Sequence, residues 1–219
     1  MLALIRKDLL LQARRKEVLA SLFVLGVLML LAFNFSIDIA PDNVGYLAPG
    51  ILWVSILFST TLALGHSFLG EKEQGCMNAL LMSPLDRGSI FLAKFAVNLL
   101  LIMAFEALFL PVFGLFFAID LRAFVGPLAA VMIGGTIGLT AIGTLFALVA
   151  IGSRSRELML PLLVLPLELP LLIAAVKATA VVMAGKPLSA AGGWGNMLIG
   201  FDVLFVTAGW LAFEYVSSD

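Results

Sequence analysis

The chain has 219 residues, of which 62% are hydrophobic and only 12% charged. A soluble globule of this size must cover itself with polar side chains, and these are too few to do so. The single cysteine, Cys76, excludes a disulfide-stapled scaffold, and a net charge of −1 lends no support to a nucleic-acid partner. A polytopic membrane protein is what remains.

Residues 2–16 open the chain with Leu2, Ile5 and Leu9 on one helical face and Lys7 and Arg14 on another. Two readings stand: an interfacial helix on the inner leaflet, or a basic tail that sets topology. Six apolar stretches follow, running roughly over 18–37, 48–68, 95–117, 124–152, 158–176 and 197–216. A helix needs about 20 such residues to cross a bilayer. Each stretch is apolar all round, which suits helices in lipid and does not suit an outer-membrane barrel. Val18–Ile37 is longer than a usual secretory-signal core and five spans follow it, so it is expected to be retained. The stretch 124–152 is too long for one upright span and is expected to tilt or to start outside the membrane.

Basic residues set the orientation. With the N-terminus in the cytoplasm, Arg6, Lys7, Arg14, Arg15, Lys16, Lys72, Arg87, Lys94, Arg154 and Arg156 lie inside, and only Arg122, Lys177 and Lys186 lie outside. An excess of cations on the inner side is the rule, so both termini are expected in the cytoplasm. The connections are short; 69–94 is the largest inner one and 177–196 the largest outer one. Neither holds a soluble enzyme domain, so residues 1–219 read as a single transmembrane domain.

The inner loop 69–94 is the most informative. Its residues from about 76 to 82 can form a short helix that exposes Met77, Leu80 and Leu81, and Pro84 disfavours helix at Ser83 and stops it. Such a protrusion fits a groove on a soluble partner. The other reading is a solvated loop whose leucines rest on the membrane.

Three carboxylates fall inside spans: Glu106, Glu168 and Asp202. An ionised group there is costly and normally faces the bundle or a wet cavity. Substrate contact, proton relay or gating is one reading; a hydrogen-bonded acid that holds helices together is the other. The fifth span carries Pro161, Pro166 and Pro170, each of which removes a backbone donor and tends to kink a helix. Freed carbonyls at membrane depth need protein or water, so this span is not expected to be a passive lipid-facing rod. The fourth span holds Gly134, Gly135, Gly138 and Gly143, and its Gly134/Gly138 pair permits close helix approach within one chain or between copies.

Chemistry of other kinds is scarce. One histidine, His66, and the distant Cys76 do not make a metal site. A nucleotide-cradling G-x-x-x-x-G-K-[ST] loop is absent, and the one Gly-Lys pair, Gly185–Lys186, precedes Pro187. The chain is therefore read as a non-enzyme, with no catalytic, cofactor-binding or metal residues assigned. Energy is expected from a partner or an ion gradient.

From Glu71 to Lys94 the chain reads E-x-E-x-G-x4-L-L-x-S-P-x2-R-x6-K. This resembles the coupling-helix region of ABC-2 type permeases. Further stretches are similar to the heme exporter protein B family within that class. They are Arg6-Lys7-Asp8-Leu9 with Arg14, Lys16 and Glu17, then Ala48-Pro49-Gly50-Ile51-Leu52-Trp53, and Leu160-Pro161-Leu162-Leu163-Val164-Leu165-Pro166-Leu167. Phe201-Asp202 and Phe213-Glu214-Tyr215-Val216 complete the set, so the resemblance runs through the whole chain in order.

The resemblance implies an all-α membrane protein of the ABC-2 type exporter fold, with six transmembrane helices, an N-terminal interfacial helix and a cytoplasmic coupling helix. It implies a place in the bacterial inner membrane, in a complex that serves covalent heme attachment to c-type cytochromes. The implied partners are a cytoplasmic ABC ATPase subunit that uses the ATP, a second copy of the chain, an accessory heme-handling membrane subunit and a heme chaperone. Docking on the ATPase is expected of Glu71, Glu73, Gly75, Leu80, Leu81, Pro84 and Arg87, and gating or the path of Glu106, Glu168, Asp202, Pro161, Pro166 and Pro170. Heme enters as a transported or handled ligand. Stable binding is not expected, because Trp53, Trp194 and Trp210 form no Trp-rich stretch and no axial ligand pair is evident. Three alternatives remain open: export of a lipid, glycan or drug by the same architecture, a proton-coupled secondary transporter, and a structural assembly subunit.

Overall fold

The computed structural model describes residues 5–10, 16–36, 44–65, 87–149 and 156–216. Six long helices dominate: α1 (Lys16–Ser36), α2 (Val44–Gly65), α3 (Arg87–Phe116), α4 (Val125–Val149), α5 (Arg156–Met183) and α6 (Gly193–Val216). Each is long and apolar enough to cross a membrane, and there is no strand among the described residues. At about 1.5 Å per residue, α2 is about 33 Å long and matches a hydrocarbon core of about 30 Å. α3 has 30 residues and outruns that thickness, so it tilts or projects from the bilayer. Lys94, at the end of the segment 69–94, lies two turns inside α3, and α5 carries Lys177 on its exposed side.

α4 sits at the centre and packs against α2, α3, α5 and α6, while α1 leans on α2 and α3. Helices that are apolar all round have no hydrophobic face to choose a neighbour by, so small residues make the choice. A methyl group at Gly26 of α1 would come 2.8 Å from the Phe109 ring of α3. Gly135 receives Trp53, Gly143 receives Leu64, Gly209 receives Phe91 and Gly88 receives Trp210; at each of these a Cβ would collide with the guest side chain. The Gly134/Gly138 pair divides: Gly134 has room to spare, while Gly138 is filled by Leu171 of α5 and by Asp202 of α6. The notch at Gly138 thus serves contact within one chain.

Aromatic side chains line the core side of α3. Phe105, Phe109 and Phe113 are fully buried, and the rings of Phe105 and Phe109 lie 5.1 Å apart. α3 ends in a left-handed cap: Ala118 has φ 51, and Ile119 N–H donates to the Gly114 carbonyl at 2.9 Å. Asp120 then accepts from the Arg122 N–H at 3.1 Å and opens the short turn Leu121–Phe124 that leads into α4.

α5 runs as one helix through Pro161, Pro166 and Pro170. Pro166 and Leu162 are on its exposed side, whereas Val164, Glu168, Leu171 and Ala175 are buried on the other. Pro166 and the acid of this span therefore face opposite sides of the helix. Residues 5–10 form a short helix whose Arg6, Lys7 and Leu10 are exposed and whose Asp8 is buried.

Candidate functional site

α3 and α4 are joined by a ladder of polar side chains inside an otherwise apolar interface. Asn98 Nδ2 donates to Thr144 Oγ1 at 3.0 Å, and Thr136 Oγ1 donates to Glu106 Oε1 at 2.5 Å. Positions four apart share a helix face, so the antiparallel register that pairs 98 with 144 and 106 with 136 sets Ile102 opposite Thr140. That middle rung lacks a polar partner: the buried Thr140 hydroxyl has no hydrogen bond. The ladder yields a contrast between neighbours. Thr136→Val is expected to cost about 1–3 kcal/mol because it strands the buried Glu106 carboxyl, whereas Thr140→Val is expected to be neutral or stabilising. Unfolding of the two variants in mixed detergent micelles reads the difference.

Two more features meet α4 in the same region. The Trp53 ring fills the Gly135 notch, and its Nε1–H donates to Thr179 Oγ1 of α5 at 2.8 Å, which ties α2, α4 and α5 together. Asp202 of α6 enters at Gly138, where a Cβ would come 2.9 Å from its Oδ1, an oxygen that is buried without a hydrogen-bond partner. Leu171 of α5 shares that notch, and one turn before it lies Glu168. Glu168 is fully buried, and neither of its carboxyl oxygens has a partner. Glu106 and Asp202 thus meet α4 from two helices, at Thr136 and Gly138, and Glu168 lies one turn from the Leu171 that fills Gly138.

A second polar feature lies nearer the N-terminal end of α3. Lys94 Nζ is 2.9 Å from Asp8 Oδ2, with both side chains about 5% exposed. The half-exposed Lys7 holds the other oxygen at 3.0 Å. This pair joins the two ends of separate motifs, Arg6-Lys7-Asp8-Leu9 and the Glu71–Lys94 segment, and docks the N-terminal helix on α3. Sequence reasoning did not foresee it, nor the ladder. The usable signals were polar residues recurring at multiples of four, Lys94–Asn98–Glu106 and Thr136–Thr140–Thr144, inside apolar spans.

Of the residues expected to dock a partner, Glu71, Glu73, Gly75, Leu80, Leu81 and Pro84 lie outside the described residues, as do His66, Cys76 and the side chain of Arg87. An open recess of about 660 Å³ lies at the turn after α3, lined by Pro111, Leu115, Asp120 and Arg122 among others. Among the described residues no His, Met or Cys lines it.

Six apolar helices, glycine notches and a polar interior mark a multi-pass helical membrane protein. The sequence model of the CcmB protein family matches residues 1–216, so the chain belongs to the CcmB family. It is 34% identical to heme exporter protein B of Bradyrhizobium diazoefficiens over 194 residues, which cover 85% of this chain and 83% of that protein. Heme exporter protein B of Paracoccus denitrificans is 34% identical over 150 residues, 68% of this chain and 66% of its own length. The Pseudomonas aeruginosa protein of that name is 27% identical over 153 residues, covering 70% and 68%.

Proposed function

We propose that this chain is the permease subunit of an ABC transporter complex in cytochrome c maturation, driven by a separate cytoplasmic ATPase. The match to the CcmB family over nearly the whole chain carries the reading, and relatives of comparable length are named heme exporter protein B. The absence of a nucleotide-cradling motif from the sequence supports an ATPase on another polypeptide.

The inner segment ahead of α3 receives the work. Leu80, Leu81 and Pro84 seat in the ATPase, Glu71, Glu73 and Arg87 pair with its charges, and Gly75 belongs to the same docking segment. The loop feeds directly into α3, so a push on it moves Lys94 and the N-terminal helix together. The rungs at Asn98 and Glu106 pass the motion to α4. Glu106, Glu168 and Asp202 gate the bundle from within, while Pro161, Pro166 and Pro170 let α5 flex. The outward Leu162, Pro166, Leu169 and Ile173 of α5 form an apolar stripe suited to a second copy or to lipid. Heme, or the release of a heme-loaded chaperone outside, is the cargo of this cycle. The chain itself holds no heme stably. Both termini lie in the cytoplasm, and the membrane is the bacterial inner membrane.

Purification of the tagged chain in mild detergent, with identification of every bound polypeptide and pigment, tests this reading. An ATP-hydrolysing polypeptide is expected with it. A chain that transports when reconstituted alone contradicts the proposal.

A further inference from the structure

Glu168 stands in an environment that an ionised carboxylate does not tolerate. It is fully buried, twelve residues into a membrane-spanning helix, and both its oxygens lack a hydrogen-bond partner. The elements packed against α5 are α2, α4 and α6, with the turn Leu188–Ala191 at its far end. α4 carries no ionisable residue, and α2 offers only Tyr46, which is exposed at its end. The turn Leu188–Ala191 offers none. α6 offers Asp202, an acid that shares the Gly138 notch with Leu171; its other ionisable residues, Glu214 and Tyr215, have side chains outside the described residues. On α5 itself, Lys177 is nine residues on, half a helix turn round, and exposed. The side chains of Arg156 and Glu157, three turns earlier, lie outside the described residues.

An unpaired charge at such depth is costly. The cost vanishes when the carboxylate takes up a proton and becomes a neutral acid. We propose that Glu168 is a proton-binding site inside the bundle, occupied in the packing seen here. One proton adds to one carboxylate oxygen, and it leaves to water when α5 moves off α4 and α6 and solvent enters. Proton binding therefore favours the closed packing, and movement of α5 releases the proton. Glu106 differs from Glu168 because Thr136 already bonds it. This proton site is independent of which polypeptide supplies the ATP.

The test is an infrared spectrum of the intact complex at neutral pH, taken for the native chain and for Glu168→Gln. Glutamine has the shape of the neutral acid and keeps the packing. The native spectrum is expected to show a carboxylic-acid C=O stretch that Glu168→Gln loses. A lipid-soluble carbodiimide, which adds only to a protonated carboxyl, is expected to label the peptide that contains Glu168. That labelling should fall about tenfold per pH unit once the acid titrates. Identical acid bands in both proteins would show Glu168 ionised and overturn the proposal. Protection from the carbodiimide by sodium at constant pH would make the ligand an alkali cation, which also overturns it. Either result leaves the ATPase reading intact, and loss of the ATPase leaves the band in place.

Discussion

Replacing Lys94 by methionine is expected to destabilise the chain by about 3 kcal/mol, the low end for one broken partner of a buried ion pair. The variant leaves the buried Asp8 with Lys7 alone, a half-exposed cation that holds a single oxygen. Removing both charges, as Asp8→Leu with Lys94→Met, is expected to recover most of that loss, because desolvation and attraction in such pairs nearly cancel. Unfolding in mixed micelles across this double-mutant cycle measures the coupling. A loss below about 1 kcal/mol would mean that the pair behaves as a surface contact. The single variant should also loosen the N-terminal helix from α3, and protection of residues 5–10 from proteolysis reports that directly.

Trp53→Ala is expected to cost about 3–5 kcal/mol, the usual range for deleting a large buried ring. The ring is fully buried, occupies the Gly135 notch and satisfies Thr179, so its loss opens a cavity and strands a hydroxyl between α2, α4 and α5. The notch makes a sharper prediction about sign. Gly135→Val in the native chain collides with the indole and destabilises it, yet the same change on the Trp53→Ala background fills the cavity and recovers part of the loss. Contacting residues couple in this way, and distant ones do not. Simple additivity of the two changes would show that Trp53 does not pack on Gly135.

The six-helix membrane fold is legible in the sequence because each span is a predominantly apolar run long enough to cross a bilayer. The family is legible too, since motifs from Arg6 to Val216 follow one another in order, and the match over residues 1–216 bears this out. Which helix faces which is not legible. Flat hydrophobic patterns carry no facing, and the information sits in single glycines and single polar residues whose partners are far along the chain. Gly135 meets Trp53 and Gly138 meets Asp202, and no spacing rule joins those positions. Asp8 and Lys94 look like an ordinary pair of terminal and loop charges until the fold brings them together. The carboxylates at 106, 168 and 202 were visible as unusual from their depth alone. That Glu106 is bonded and Glu168 is not depends on where Thr136 stands on another helix.

In the proposed cycle, work enters this chain through the inner loop. Leu80→Asp with Leu81→Asp, compared with the native chain, tests that most directly by scoring membrane insertion and the amount of ATPase that co-purifies. The predicted result is normal insertion with the ATPase lost from the complex and c-type cytochromes no longer assembled. An unchanged yield of ATPase with the doubly charged loop would contradict it.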